Sequence, residues 1–181
     1  MEDFSFEQNF IMGGIKMSKY KRTHMCGEIS NNDLEKEVSI SGWVQKSRDL
    51  GGLLFIDLRD RTGIVQVIFD KENNALLFDR AVSIRSEYVI SVSGIVKKRA
   101  GAINKNIKTG EIEIMATSLD IINKAETPPI YIEDDLNASE SLRLKYRYLD
   151  LRRPVMQEKI FMRHRVNKLI RDYFYANKFI E

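Results

Sequence analysis

The chain has 181 residues, 43% hydrophobic and 30% charged, which excludes a disordered polar tail and allows one domain of roughly 100 residues plus an appendage. A net charge of +3 is too small to argue for nucleic acid, so any such reading rests on where the charges lie. The single cysteine, Cys26, excludes an internal disulfide and a cysteine-rich zinc site and fits a reduced, cytoplasmic setting; no apolar run approaches the ~20 residues of a membrane span.

Residues 1–16 mix Phe4, Phe6, Phe10 and Ile11 with acids, without a period and without the form of a signal peptide. The Gly13-Gly14 pair ahead of Met17 has the layout of an encoded ribosome-binding site. The segment is expected to be either a non-native leader, with Met17 the native start, or a short disordered tail.

From residue 17 to 123 the pattern is that of a small β-domain. Strands are expected at about 38–45, 53–58, 64–69, 88–97 and 112–122, the last with a possible break. Between the third and fourth, residues 73–82 have the spacing of a short helix with an Asn start. Three strands, a helix and two strands is the order of an OB-fold, a five-stranded Greek-key barrel, with an SH3-like barrel or open sandwich as the rival.

Alternation sorts these strands by face. Leu54, Ile56 and Leu58 oppose Leu53, Phe55 and Asp57; Val65, Val67 and Phe69 oppose Ile64, Gln66 and Ile68. The triplets free of polar residues form the core, which puts Phe55 and Gln66 on the outer face of adjacent strands. Glu113, opposite Ile112 and Ile114, reaches the same surface.

An outward ring, an amide and a carboxylate suit RNA. A ring stacks on an unstacked base for about 1–3 kcal/mol. An amide carries donor and acceptor, and a carboxylate accepts from the paired N–H groups of guanine. Arg48, Arg85, Lys97, Lys98, Arg99 and Lys105 are available for phosphates. The plainer reading makes Phe55 a cross-strand packing residue and Gln66 and Glu113 solvated surface; only their combination on one face favours binding. Asp57, Asp60 and Asp70 are better explained by turns and strand ends than by acid–base chemistry, and His24 and His164 lack metal-ligand spacing.

Two blocks now matter together: Gly42-Trp43-Val44 with the run Arg48-Asp49-Leu50-Gly51-Gly52 through Val65-Gln66-Val67 and Thr109-Gly110-Glu111-Ile112-Glu113, and Arg143-Leu144-Lys145-Tyr146-Arg147-Tyr148-Leu149-Asp150-Leu151-Arg152-Arg153-Pro154. They closely resemble the N-terminal part of bacterial-type aspartyl-tRNA synthetase, a class II aspartate–tRNA ligase. The resemblance covers about 21–181. It implies that the OB domain binds the anticodon of tRNA(Asp), GUC when unmodified. Phe55 would then stack on the middle uridine, Gln66 would hydrogen-bond it, and Glu113 would read the first guanine. Arg48, Arg85, Arg99 and Asn104 would make further anticodon-loop contacts, although the 99–104 loop is shorter than is usual in the family. Leu50 stands where enzymes that charge only aspartate tRNA tend to carry Leu and those that also charge asparagine tRNA carry His; Ala102, at a related position, matches neither habit.

Residues 124–153 are expected to form a linker or hinge, with Thr127-Pro128-Pro129 and three acids, then a helix started by Asn137 and Glu140 and running to about 149. Pro154 opens a second helix bearing Met156, Ile160, Val166, Leu169, Ile170 and Tyr173 and ending near Asn177. Arg143, Lys145, Arg147, Arg152 and Arg153 are either tRNA-backbone contacts or solvated helix faces. The resemblance makes 154–181 the start of the catalytic domain, the helix of motif 1 and the first residues of its strand, a region that contributes to a homodimer. The ATP, Mg and aspartate sites of the full-length enzyme lie in later motifs. No catalytic residue, cofactor or metal is therefore assigned here, and this chain alone is expected to be inactive. The alternatives are a free-standing OB-fold RNA-binding module and a protein-binding OB domain.

Overall fold

The computed structural model describes residues 21–135 and 137–180, so the expected leader and the Met17 start lie outside the described residues. The chain divides into two compact units, Met1–Thr127 and Pro128–Glu181.

The first unit is built on five strands: β1 Glu37–Asp49, β2 Leu53–Asp60, β3 Gly63–Asp70, β4 Val89–Lys98 and β5 Ile112–Asn123. They close in the order β1-β2-β3-β5-β4, with helix α1, Ala75–Val82, between β3 and β4. This is the OB-fold order expected from the sequence.

β1 is longer than its apolar pattern suggested because it serves two neighbours. Residues 37–43 pair with β4, and residues 43–49 pair with β2. The change falls at a bulge: Val44 opposes Leu58 and Lys46 opposes Asp57, so Gln45 is the extra residue that bends the strand from one neighbour to the next. The break expected in the last strand is also a bulge. Ser118 opposes Ser93 and Ala116 opposes Gly94, with Thr117 left over. Gly94 is required there, since a Cβ would lie 2.3 Å from the Met115 carbonyl oxygen. The β1–β2 turn needs its two glycines for another reason, as Gly51 and Gly52 adopt φ of +75° and +135°.

Leu54, Ile56, Leu58, Val65, Val67 and Phe69 are all buried in the barrel core. At ~1.5–3 kcal/mol for each large apolar side chain, this alternation holds the register. Asn74 caps α1 by accepting from the Leu77 N–H at 3.0 Å, and the helix adds Leu77, Phe78 and Ala81 to the core.

The acids at the strand ends have turn roles. Asp60 accepts from the N–H groups of Cys26 and Thr62, both at 2.8 Å, and from the Thr62 hydroxyl at 2.6 Å. Burial alone would raise its carboxyl, but these donors hold it below the usual carboxylate range. The Cys26 thiol is pushed up, first by burial and then by the charge of Asp60. Asp70 accepts from Glu72 N–H and Asn73 Nδ2 in the turn ahead of α1.

In the second unit the expected single helix from Asn137 is two short ones, α2 Glu140–Lys145 and α3 Arg147–Asp150. Ser139, not Asn137, is the N-cap: its extended backbone lets the hydroxyl accept from Leu142 N–H at 3.3 Å. The helix breaks at Tyr146, whose φ of −108° and ψ of 45° are not helical. Helix α4, Pro154–Ala176, begins on its proline as expected.

Arg153 is neither a surface RNA contact nor a solvated residue. Asp150 is wholly buried and needs cations, so Arg147 pairs with it at 2.6 Å and Arg153 at 2.8 Å. Arg153, only 7% exposed, also donates to the carbonyls of Glu133 and Asp134.

Past α4 the expected strand is absent among the described residues. The helix ends in a Schellman motif, with Lys178 at φ +67°, Lys178 N–H donating to Tyr175 O and Phe179 N–H to Phe174 O. The Phe174 and Phe179 rings then meet edge-on at 5.5 Å. A strand would need a hydrogen-bonding neighbour, and the described residues of this unit form none.

Candidate nucleic-acid interface

Sheet register assembles the site in two rows on the outer face of the barrel. In the first row Arg48 opposes Phe55, Phe55 opposes Ile68, and Ile68 opposes Met115 across the short parallel contact of β3 with β5. In the second, Lys46 opposes Asp57, Asp57 opposes Gln66, and Glu113 opposes Lys97. Gln66 and Glu113 precede Ile68 and Met115 by the same two positions, so they meet across the same seam. Beyond Arg48 the first row is an apolar floor, and the second is polar.

The first row, with Gln66 and Glu113 of the second, lines a groove of about 510 Å³. Phe55 is half-buried in its floor beside Ile68 and Met115. Leu50, Leu53 and the 99–102 loop form its rim. Phe55 thus offers a ring supported from below, which is what a stacking platform requires.

Gln66 and Glu113 are not solvated surface. They are 3% and 4% exposed, and Gln66 Nε2 donates to Glu113 Oε2 at 3.0 Å. Arg99 Nη2 donates to Gln66 Oε1, and the Ala100 N–H donates to Glu113 Oε1 at 3.1 Å. Arg99 Nη1 is buried in the same place without a protein partner. The network therefore ties the 99–102 loop to β3 and β5.

The structure gathers Phe55, Gln66, Glu113, Arg48 and Arg99 around this groove. Arg48 is held over the outer face by Asp57, at 3.2 Å. Two of the expected residues are elsewhere. Arg85 lies in the turn between α1 and β4, donating to Val82 O, and Asn104 closes a turn by accepting from Asn106 N–H at 3.1 Å. Neither lines the groove. Lys97 is paired with Glu35 at 2.6 Å. Sequence reasoning missed Ile68 and Met115 as the floor; both follow from the alternation that placed Gln66 and Glu113. Leu50 and Ala102 both stand at the rim. Among the described residues, no group of three or more His, Cys, Asp or Glu is placed to hold a metal ion, and no helix is long and apolar enough to cross a membrane.

The barrel and this face define the first unit as an OB-fold nucleic acid binding domain, and residues 38–122 match the tRNA anticodon family of that description. Residues 139–181 match the class II tRNA synthetases for D, K and N. The chain is 54% identical over 169 residues to an aspartate–tRNA(Asp/Asn) ligase of Thermoanaerobacter pseudethanolicus, covering 93% of this chain and 28% of that protein. It is also 54% identical over 170 residues to an aspartate–tRNA ligase of Ruminiclostridium cellulolyticum, with the same coverages. The asparaginyl-tRNA synthetase of Pyrococcus horikoshii, solved with asparaginyl-adenylate, superposes with a TM-score of 0.73 at 26% identity, over 87% of this chain and 35% of that one. The chain belongs to the aspartate–tRNA ligase family and corresponds to its N-terminal part. It spans 28% of the length of the curated relatives it matches.

Proposed function

We propose that the barrel binds the anticodon loop of tRNA(Asp), and that a chain of the relatives' full length attaches aspartate to that tRNA using ATP and Mg. The observation that carries this reading is the supported, half-exposed Phe55 beside the Gln66–Glu113 pair on the outer face of an OB-fold. Phe55 stacks on the middle base, Gln66 reads its edge and Glu113 reads the first guanine. Arg48, Arg99, Arg85 and Asn104 hold the loop's backbone, the last two from outside the groove. The class II match of 139–181 favours a ligase over a free-standing RNA-binding module or a protein-binding domain.

Among the described residues no group of three or more His, Cys, Asp or Glu is placed to hold a metal ion, and no chemical step is assigned to them. The exposed apolar residues of α4, among them Ile160, Leu169 and Tyr173, support a homodimer of the full-length enzyme, acting in the cytoplasm.

Titration of this chain with a tRNA(Asp) anticodon stem-loop tests the binding. Affinity should fall with salt by a slope of about −0.7 for each phosphate held. Replacing Gln66 or Glu113 should relax discrimination among anticodon variants more than it lowers affinity for all of them. Equal binding of a GUC loop and a loop of scrambled sequence would refute the reading.

A further inference from the structure

The Gln66 amide sits between two neighbours of opposite and fixed character. Arg99 can only donate, and its Nη2 faces Oε1; Glu113, as a carboxylate, can only accept, and its Oε2 faces Nε2. Turning the amide by half a rotation would set N–H against guanidinium N–H and oxygen against carboxylate. Both contacts would then be repulsive, in a place where the side chain is 3% exposed and water cannot relieve them. Glu113 is itself fixed, since its other oxygen accepts from Ala100 N–H. Only one amide orientation satisfies this pocket.

That matters because uridine and cytidine present reversed edges. At positions 4 and 3, uridine shows an acceptor and then a donor, and cytidine a donor and then an acceptor. An amide free to turn over pairs with either base, and an amide locked one way pairs with one. We infer that Arg99 is a specificity-determining positioning residue, which together with Glu113 locks the Gln66 amide so that the site accepts a uridine and rejects a cytidine. This rests on the anticodon-binding reading above and adds to it a mechanism of pyrimidine discrimination. Arg99 acts here through Gln66, and its function is separate from any phosphate contact.

The test uses the 181-residue chain with two stem-loops that differ only in U or C at the middle anticodon position. In the unaltered chain the U loop should bind roughly tenfold or more tighter, as expected for one two-point base contact. Arg99→Met should reduce that ratio severalfold, chiefly by improving binding of the C loop relative to the U loop, with Glu113 alone left to favour the native orientation. Arg99→Lys, which keeps a donor-only neighbour, should restore most of the ratio. The side-chain NH₂ pair of Gln66 gives a readout without RNA. In the free protein its two proton resonances should be widely separated, one being held by Glu113, and in Arg99→Met their separation should narrow as the amide begins to turn over.

If Arg99→Met weakens both loops equally, shallows the salt dependence and leaves the Gln66 resonances unchanged, Arg99 is a phosphate contact. The proposal then falls while anticodon binding stands. If the unaltered chain binds both loops equally, Gln66 does not read that base and the proposal falls with its premise. Should Arg99→Met fail to fold, Arg99→Lys alone decides: a discrimination ratio near one would overturn the donor-only argument.

Discussion

Phe55→Ala separates a stacking platform from a packing residue. A fully buried Phe truncated to Ala costs about 3–5 kcal/mol. Phe55 is only half-buried and stands outside the core cluster, resting on Ile68 and Met115. Its loss should therefore cost the barrel under half of that, about 1–2 kcal/mol, and leave it folded. Stacking on an unstacked base is worth about 1–3 kcal/mol, so a tRNA(Asp) anticodon stem-loop should bind roughly 5- to 150-fold more weakly. Thermal melts and stem-loop titrations of the same preparation measure the two effects. Phe55→Tyr or Phe55→Trp should retain most of the binding, since each keeps a ring on the same floor. Full stem-loop affinity in a folded Phe55→Ala barrel would refute the platform. A melt lowered by the full cost of a core phenylalanine would refute the partial burial on which the magnitude is built.

Other consequences lie outside the groove. Asp60 is held below its unfolded value, so its stabilisation is present above that value and is lost as pH falls through the lower folded value. Acid titration of stability should show a loss below about pH 4 that Asp60→Asn flattens, the variant being the less stable of the two at neutral pH. Asp150→Asn should destabilise the second unit by roughly 3–5 kcal/mol, because it leaves Arg153 buried without its carboxylate; hydrogen exchange of α3 and the start of α4 would report it. Residues 21–127 expressed alone should keep the barrel's melting temperature and its stem-loop affinity, because the core and the groove are complete within that unit. A large loss of either would mean that the second unit supports the barrel.

The barrel was legible because its core alternates. With Leu54, Ile56, Leu58 facing Val65, Val67, Phe69, the period of two fixes both register and faces, and Phe55, Gln66 and Glu113 follow as outward residues. What alternation cannot supply is the condition of that outer face. It treats outward as wet, yet Gln66 and Glu113 are buried there because the 99–102 loop folds over them, and a loop has no period to read. The two bulges were invisible or blurred for a related reason. One extra residue at Gln45 or Thr117 looks like the end of a strand or a break in it, although the strand continues. In the second unit, local signals chose Asn137 over Ser139 because both are good caps, and geometry decides between them. Arg153 was misplaced because its partner Asp150 is an ordinary surface residue by composition; only three-dimensional packing reveals a buried acid.

The Gln66–Glu113 hydrogen bond has a structural duty as well as the recognition role proposed for it, and the two do not compete. β3 and β5 share only two paired positions, Val67 with Ile114 and Ile68 with Met115, so the barrel's last seam is short. One side-chain bond just beyond those pairs continues the seam where backbone pairing stops. A base reader fastened into a seam pays little of its rotamer entropy on binding RNA, since that freedom, about 1–2 kcal/mol for a long polar side chain, was already surrendered in folding. The same fastening limits what the reader can accept. A free side chain adapts to a wrong base, whereas one held by a carboxylate on one side and a guanidinium on the other leaves the wrong base facing an unpaired group. Burying polar atoms without solvent is costly unless they are satisfied, and here Oε1, Nε2 and both carboxylate oxygens have partners before RNA arrives, while Arg99 Nη1 is left without a protein partner. On the proposed reading the arrangement converts folding free energy into discrimination rather than into affinity, which leaves Phe55 and the arginines to supply the strength of binding.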